Sequence, residues 1–186
     1  MSSLDLPLFS PRARRGVARL AAAALVALAA SGCLRPLHGP TASGAPLQEV
    51  LAAIEIEPVS ASAGQERLTH YLRSELVFDL DGSGQPRQKR YKLAVAAAEQ
   101  VSAPLVDTVT GRAQSATLVA QATYTLKSGD GTRLITSGTA TATASYDRNI
   151  QRFANVRASR EAETRVAKLL SEQIKTRLAL ALASRS

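Results

Sequence analysis

Residues 133–146, RLITSGTATATASY, decide the fold. Alternation of small apolar and hydroxyl side chains is the period of a strand, whose successive residues point to opposite faces. Leu134, Ala140, Ala142, Ala144 and Tyr146 would share one face, with Thr139, Thr141 and Thr143 opposite. Between a hairpin signal and a helical stretch, the Thr-Ala run reads as a strand with one narrow, closely packed face rather than as low complexity.

The segment before it, KSGDGTR (127–133), carries Asp130-Gly131, a pair suited to a tight hairpin turn. Upstream lies ATLVAQATYTL (116–126), where Leu118, Ala120, Ala122, Tyr124 and Leu126 again fall on one face. YKLAVAAAEQV (91–101) repeats the pattern through Tyr91, Leu93, Val95 and Ala97. The connection between these two strands, VSAPLVDTVTGRA, is longer and contains Pro104 and Gly111, so they are joined more loosely. Ile54-Glu55-Ile56-Glu57, closed by Pro58, predicts a short half-exposed strand.

Two stretches change period. In GQERLTHYLRSELVFDL (64–80), Leu68, Leu72, Leu76 and Leu80 recur every four residues beside Tyr71, which predicts an amphipathic helix ended by the turn formers DLDGSGQP. From about Arg157 to Ala183 no Gly or Pro occurs, and Ala162, Val166, Leu169, Leu170, Ile174, Leu178 and Leu182 form the stripe of a long helix. Each element has one apolar face. The simplest packing that buries them all is α+β in two layers, with two helices on one face of a roughly four-stranded, mostly antiparallel sheet in the order β-α-β-β-β-α.

The N-terminus follows other rules. The chain has 186 residues, a net charge of +8 and one cysteine, which excludes an internal disulfide. RARRGVAR (12–19) is basic and LAAAALVALAA (20–30) is apolar but too short to span a bilayer, which needs about 20 residues. These are the parts of a secretory signal peptide over residues 1–32. Ala30-Ser31-Gly32-Cys33 looks like a lipobox, with Cys33 as the acylated first residue of the mature protein. A thiolate is a good nucleophile toward a lipid donor. An N-terminal acyl chain and a diacylglycerol on Cys33 would form a stable anchor, and Leu34 after it favours the outer membrane. Residues 33–49 read as the lipidated N-terminus and a flexible tether, and 50–186 as a single domain. Without residues 1–32 the chain keeps 154 residues and a net charge of +5, enough for one real core.

Reactive chemistry is sparse. His38 falls in the tether and His70 on the first long helix, so no histidine pair has metal-ligand spacing. Asp79-Leu80-Asp81-Gly82-Ser83-Gly84 resembles the opening of a calcium loop, but position twelve is Arg90 instead of glutamate. Ser83 follows a helix rather than a strand, no glycine loop has a nucleotide fingerprint, and Glu55 and Glu57 read as a solvated strand face. The residues therefore point away from an enzyme, a metal protein or a cofactor carrier. Export and few aromatics argue against nucleic acid. Lys127 and Arg133, flanking the hairpin turn, are the candidates for contact with phosphate on an anionic envelope component such as lipopolysaccharide; as solubilising charges they would need no ligand.

Cys33-Leu34-Arg35-Pro36-Leu37-His38-Gly39, Gln65-Glu66-Arg67-Leu68, Leu72-Arg73-Ser74-Glu75-Leu76, Ser145-Tyr146-Asp147 and Arg152-Phe153-Ala154-Asn155 together resemble the lipopolysaccharide-assembly lipoproteins, the LptE family, over residues 33–182. Leu34 and His38 stand where that family commonly has Gly and Tyr. The resemblance implies a non-catalytic outer-membrane lipoprotein, facing the periplasm or lying inside a barrel lumen. It would partner and plug the β-barrel of the lipopolysaccharide translocon (LptD type), helping that barrel to assemble and lipopolysaccharide to reach the outer leaflet. No lipopolysaccharide-contacting residue is carried over from the family. An auxiliary lipoprotein of another envelope lipid-transport system would share the anchor, the size and the α+β layout, whereas an anchored hydrolase would need a pocket with a convergent acid, base or nucleophile, which the sequence does not offer.

Overall fold

The structure, a computed structural model, describes residues 46–61, 64–82, 88–103, 111, 114–148 and 150–183. The predicted signal peptide, Cys33, His38 and most of the predicted tether lie outside the described residues, as do Ser83, Gly84 and Pro104. The described elements are α1 (Leu47–Ala52), β1 (Ile54–Ile56), β2 (Ser60–Ala61), α2 (Glu66–Asp81), β3 (Tyr91–Ser102), β4 (Ser115–Ser128), β5 (Leu134–Asp147) and α3 (Arg152–Ala183).

The α+β arrangement is the expected one, with two additions. The sheet runs β1-β3-β4-β5, and the two-residue β2 also pairs with β3. β3, β4 and β5 are antiparallel, while β1 and β2 lie parallel to β3. Parallel neighbours need a crossover, and α2 supplies it. The second addition is α1. Leu47, Gln48 and Glu49 were expected in the tether, but they open this short helix, and Leu47, Val50 and Leu51 are buried in the common core. Pro46 suits the position just before a helix, where no amide hydrogen is required.

Helix α2 buries Leu68, Leu72, Leu76 and Leu80 as their spacing requires. Each fully buried leucine contributes about 1.5–3 kcal/mol relative to an exposed one. Helix α3 has 32 residues, about 48 Å at 1.5 Å per residue. It packs against α2, β5 and β4. Its buried face mixes Val166, Leu170, Ile174, Leu178 and Leu182 with Ala162, Ala167 and Ala179. Opposite it the sheet presents Ala120, Ala122, Ala140, Ala142 and Ala144, so small side chains on both layers let the helix lie close.

Two positions depart from the expected stripes. Leu134 is 54% exposed and Ile135 is buried in its place. Leu126 pairs with Thr136 but Lys127 pairs with Leu134, so Ile135 is the extra residue of a β-bulge. The bulge shifts the alternation by one residue and turns Leu134 outward. Leu169 of α3 is 43% exposed. It shares a row of four-residue spacing with Arg165, Gln173 and Arg177, which runs along the rim of the sheet instead of over its centre. Farther along β5, Gly138 faces Tyr124 across the strand pair, and a Cβ there would lie 2.7 Å from the phenol oxygen. The glycine makes room for a buried tyrosine.

Side chains guard β5, an outer strand, and the stretch of β3 that runs beyond β2. Along β5, Arg165 Nη2 donates to the Ser145 carbonyl at 3.1 Å and Gln173 Nε2 to that of Thr141 at 3.0 Å. Arg177 Nη1 donates to the Thr139 carbonyl. At β3, the Gln65 amide imitates a strand residue: Glu99 N–H donates to Oε1 at 3.0 Å, and Nε2 donates to the Glu99 carbonyl at 2.8 Å. Such edges would otherwise offer unpaired backbone groups.

Candidate functional site

Lys127 is the last residue but one of β4 and Arg133 precedes β5, and the turn between them is held by one carboxylate. Asp130 accepts from Ser128 Oγ, from Thr132 N–H at 3.1 Å and from Thr132 Oγ1 at 2.7 Å. Those hydrogen bonds, led by Ser128, push its carboxyl down to about 2. Gly131, with φ of 76°, takes the left-handed position that a side chain disfavours. The tip is further tied to the start of β3, where Gly129 N–H donates to the Arg90 carbonyl at 2.7 Å.

Strand register adds a residue that spacing along the chain does not bring forward. Lys92 of β3 sits directly opposite Lys127 of β4. Like charges across an antiparallel pair are destabilising. Arg133 immediately precedes Leu134, the β5 partner of Lys127. Lys127, Lys92, Arg90 and Arg133 thus gather at one end of the sheet, and of these Lys127 and Arg133 are the ones whose place beside the hairpin signal makes them candidates for phosphate contact. Lys89 is already engaged, with Asp81 at 2.6 Å and the Ala52 carbonyl at 2.9 Å.

From the lysine pair toward the other end, the face turned away from the helices carries five rows without a charged side chain, among them Ala96–Thr123–Thr139 and Ala98–Gln121–Thr141. These residues are exposed. The layout is an open, neutral, hydroxyl- and methyl-coated sheet surface with a cationic end.

The calcium-like aspartates have other work. Asp79 accepts from Ser171 Oγ at 2.7 Å and lies 3.5 Å from Lys175 Nζ, which fixes α2 against α3, while Asp81 pairs with Lys89. His70 is exposed beside Tyr71, with ring centroids 6.0 Å apart. Among the described residues no group of three or more His, Cys, Asp or Glu is placed to hold a metal, and no helix is long and apolar enough to cross a membrane.

One further ionic cluster joins two helices that are far apart in the sequence. Glu163 of α3, 3% exposed, is gripped by Arg67 of α2 through Nε and, at 2.6 Å, through Nη2. Ser159 Oγ adds a contact at 3.4 Å. The bond to Glu163 raises the Arg67 guanidinium still higher. Nearby, burial and then the charge of Glu163 push the Glu99 carboxyl up, with Arg67 partly offsetting both.

Among the described residues the chain is a two-layer α+β body with a cationic hairpin end, and solved structures share that fold. A structure from Caulobacter crescentus CB15, described as a lipoprotein, superposes with a TM-score of 0.60 at 20% identity, over 75% of this chain and 97% of that one. The rare lipoprotein B of Shewanella oneidensis aligns with a TM-score of 0.43 at 14% identity, over 68% of this chain and 98% of that one. A minor lipoprotein of Acinetobacter baumannii gives 0.47 at 17% identity, over 69% and 92%. No curated protein sequence matches the chain. The lipopolysaccharide-assembly family LptE matches residues 51–178, and the chain belongs to that family. It is a family of non-enzymatic envelope lipoproteins working in lipopolysaccharide assembly.

Proposed function

We propose that this protein is an outer-membrane lipoprotein, anchored through acyl chains on Cys33, that partners and plugs the β-barrel of the lipopolysaccharide translocon (LptD type). It assists assembly of the barrel and insertion of lipopolysaccharide into the outer leaflet. The observation that carries this reading beyond family membership is the open, charge-free sheet face. A broad neutral surface of Thr, Ala and Gln fits against a polar barrel interior without burying an unpaired charge. The Lys92–Lys127 pair with Arg133 would meet lipid phosphates, and such an anion would offset the repulsion that the strand register imposes.

Purification of the tagged mature protein from native envelopes in detergent, with bound proteins identified by mass spectrometry, tests the partnership. A large β-barrel in near-equal amount is expected. Recovery of an inner-membrane transporter component, or of no stable partner, would instead place the protein in another lipid-transport system. For the cationic end, each Lys or Arg near an anionic lipid surface contributes about 1 kcal/mol. The combined Lys92→Gln, Lys127→Gln, Arg133→Gln variant should therefore bind purified lipopolysaccharide about a hundredfold more weakly at low salt. Unchanged affinity would return the three residues to the role of solubilising charges.

A further inference from the structure

The opposite end of the sheet holds a second concentration of positive charge. Arg148 follows β5, and Arg152 opens α3. Arg152, Asn155, Val156, Ser159 and Arg160 then lie on one helical face by their spacing of three and four. With Arg67 of α2 and Tyr146 they line a depression of about 390 Å³. That volume suits a small ligand or headgroup. The site lies on the order of 40 Å from the hairpin, since β5 is 14 residues long.

We propose that the depression framed by Arg67, Arg148, Arg152 and Arg160 binds the phosphate of an anionic lipid headgroup. Three independent features carry this beyond a solvated basic face. The first is that, among the described residues, no acidic side chain lines the depression. Among the described residues, no carboxylate pairs with Arg148, Arg152 or Arg160. The buried Glu163 is taken by Arg67, and by gripping two of its guanidinium nitrogens it fixes where that side chain stands.

The second feature is the charge placed at the start of α3. A helix N-terminus carries partial positive charge and is ordinarily complemented by Asp or Glu in its first turn. This helix of 32 residues has no acidic residue there and begins with Arg152. Guanidinium groups and the helix end repel one another unless an anion sits between them. Phosphate, with several acceptor oxygens, matches the planar donor fork of arginine.

The third is an apolar rim. Ile150 and Phe153 are 87% and 88% exposed, and Val156, which itself lines the depression, is 43% exposed. Phe153, Val156 and Arg160 fall on one stripe of the helix. Exposed apolar side chains beside a cationic pocket suit an amphiphile, with phosphate held by the arginines and hydrocarbon against Phe153. The proposal stands apart from the barrel partnership and from the hairpin cations.

The test titrates short-chain (dihexanoyl) phosphatidic acid, below its micellar concentration, into the full mature lipoprotein in detergent, followed by calorimetry. Inorganic phosphate and dihexanoyl phosphatidylcholine are the comparison probes. Phosphatidic acid should bind, phosphate more weakly, and the zwitterionic lipid least. The Arg148→Gln, Arg152→Gln, Arg160→Gln variant should lose about a hundredfold in affinity for phosphatidic acid, while Arg73→Gln, Lys168→Gln, which removes two exposed charges outside the depression, should leave it unchanged. Far-UV circular dichroism checks that the triple variant is folded; single Arg152→Gln, with a smaller loss expected, serves if it is not. Phosphate binding as tightly as phosphatidic acid would overturn the lipid assignment in favour of a free anion. Binding that survives the arginine variants, or is absent from the unaltered protein, would overturn the site itself.

Discussion

Arg67→Ala should lower stability by about 3 kcal/mol, the lower end of the range for breaking a buried ion pair, because Arg67 is itself half exposed. The loss comes mainly from what is left behind. Glu163, 3% exposed, would keep only the 3.4 Å contact from Ser159 and would face Glu99 without an intervening cation. The Glu99 carboxyl is already raised by burial and by Glu163, and without Arg67 it rises further. A carboxyl raised in the folded state makes folding less favourable as pH climbs through the carboxylate range. The deficit of Arg67→Ala should therefore be larger at pH 7 than at pH 4, read from urea unfolding midpoints at both. Pairing Arg67→Met with Glu163→Leu should recover most of the loss, since two apolar groups leave no charge stranded. A cost for Arg67→Ala below about 1 kcal/mol would mean that the pair behaves as a surface salt bridge.

Cys33→Ser should release the protein from lipid altogether. Each buried methylene contributes about 0.8 kcal/mol, so losing several acyl chains removes far more binding energy than any substitution in the folded body could. The readout is mass spectrometry of the N-terminal peptide together with flotation on barrel-free vesicles. Wild-type protein should carry the acyl mass and float; the serine variant should show neither property. The same acylated peptide recovered from Cys33→Ser would sink the lipobox reading. Separating the anchor from the fold in this way also shows whether partner capture depends on membrane attachment or on the sheet face alone.

The long elements were legible because their periods persist. Alternation over Tyr91–Val101, Ala116–Leu126 and Thr139–Tyr146, and the four-residue leucine spacing from Leu68 to Leu80, each repeat often enough to exceed noise. Short or interrupted patterns were not. Helix α1 has six residues, too few for a helical period to declare itself, and its Gly- and Pro-rich approach read as tether. The bulge at Ile135 inserts one residue where Leu134 and Ile135 are equally apolar, so either phase satisfied the pattern. Leu169 fitted the stripe by hydropathy but lies over the rim of the sheet, and only packing separates rim from centre.

The candidate site divides in the same way. Lys127 and Arg133 stood out because a hairpin signal lies between them, whereas Lys92 reaches Lys127 only through strand register. The arginine depression draws Arg67 from one helix and Arg148, Arg152 and Arg160 from the far end of the chain. Arg67 and Glu163 are 96 residues apart, and no local rule predicts such a meeting. A charged residue at position 163, inside an otherwise apolar stripe, was the one available signal. A buried acid on a helix face requires a cation from a neighbouring element.

The side chains that clamp the rims of the sheet also bear on polymerisation. Fibril growth starts when one chain copies its backbone hydrogen-bond pattern onto the next. Here Arg165, Gln173, Arg177 and Gln65 already occupy the template positions on β5 and β3. An incoming strand would have to displace these four seated side chains before its first register could form, which places a nucleation barrier in front of edge-on addition. At these positions a neighbouring copy finds the strand template already filled, so contact there does not propagate as a growing sheet.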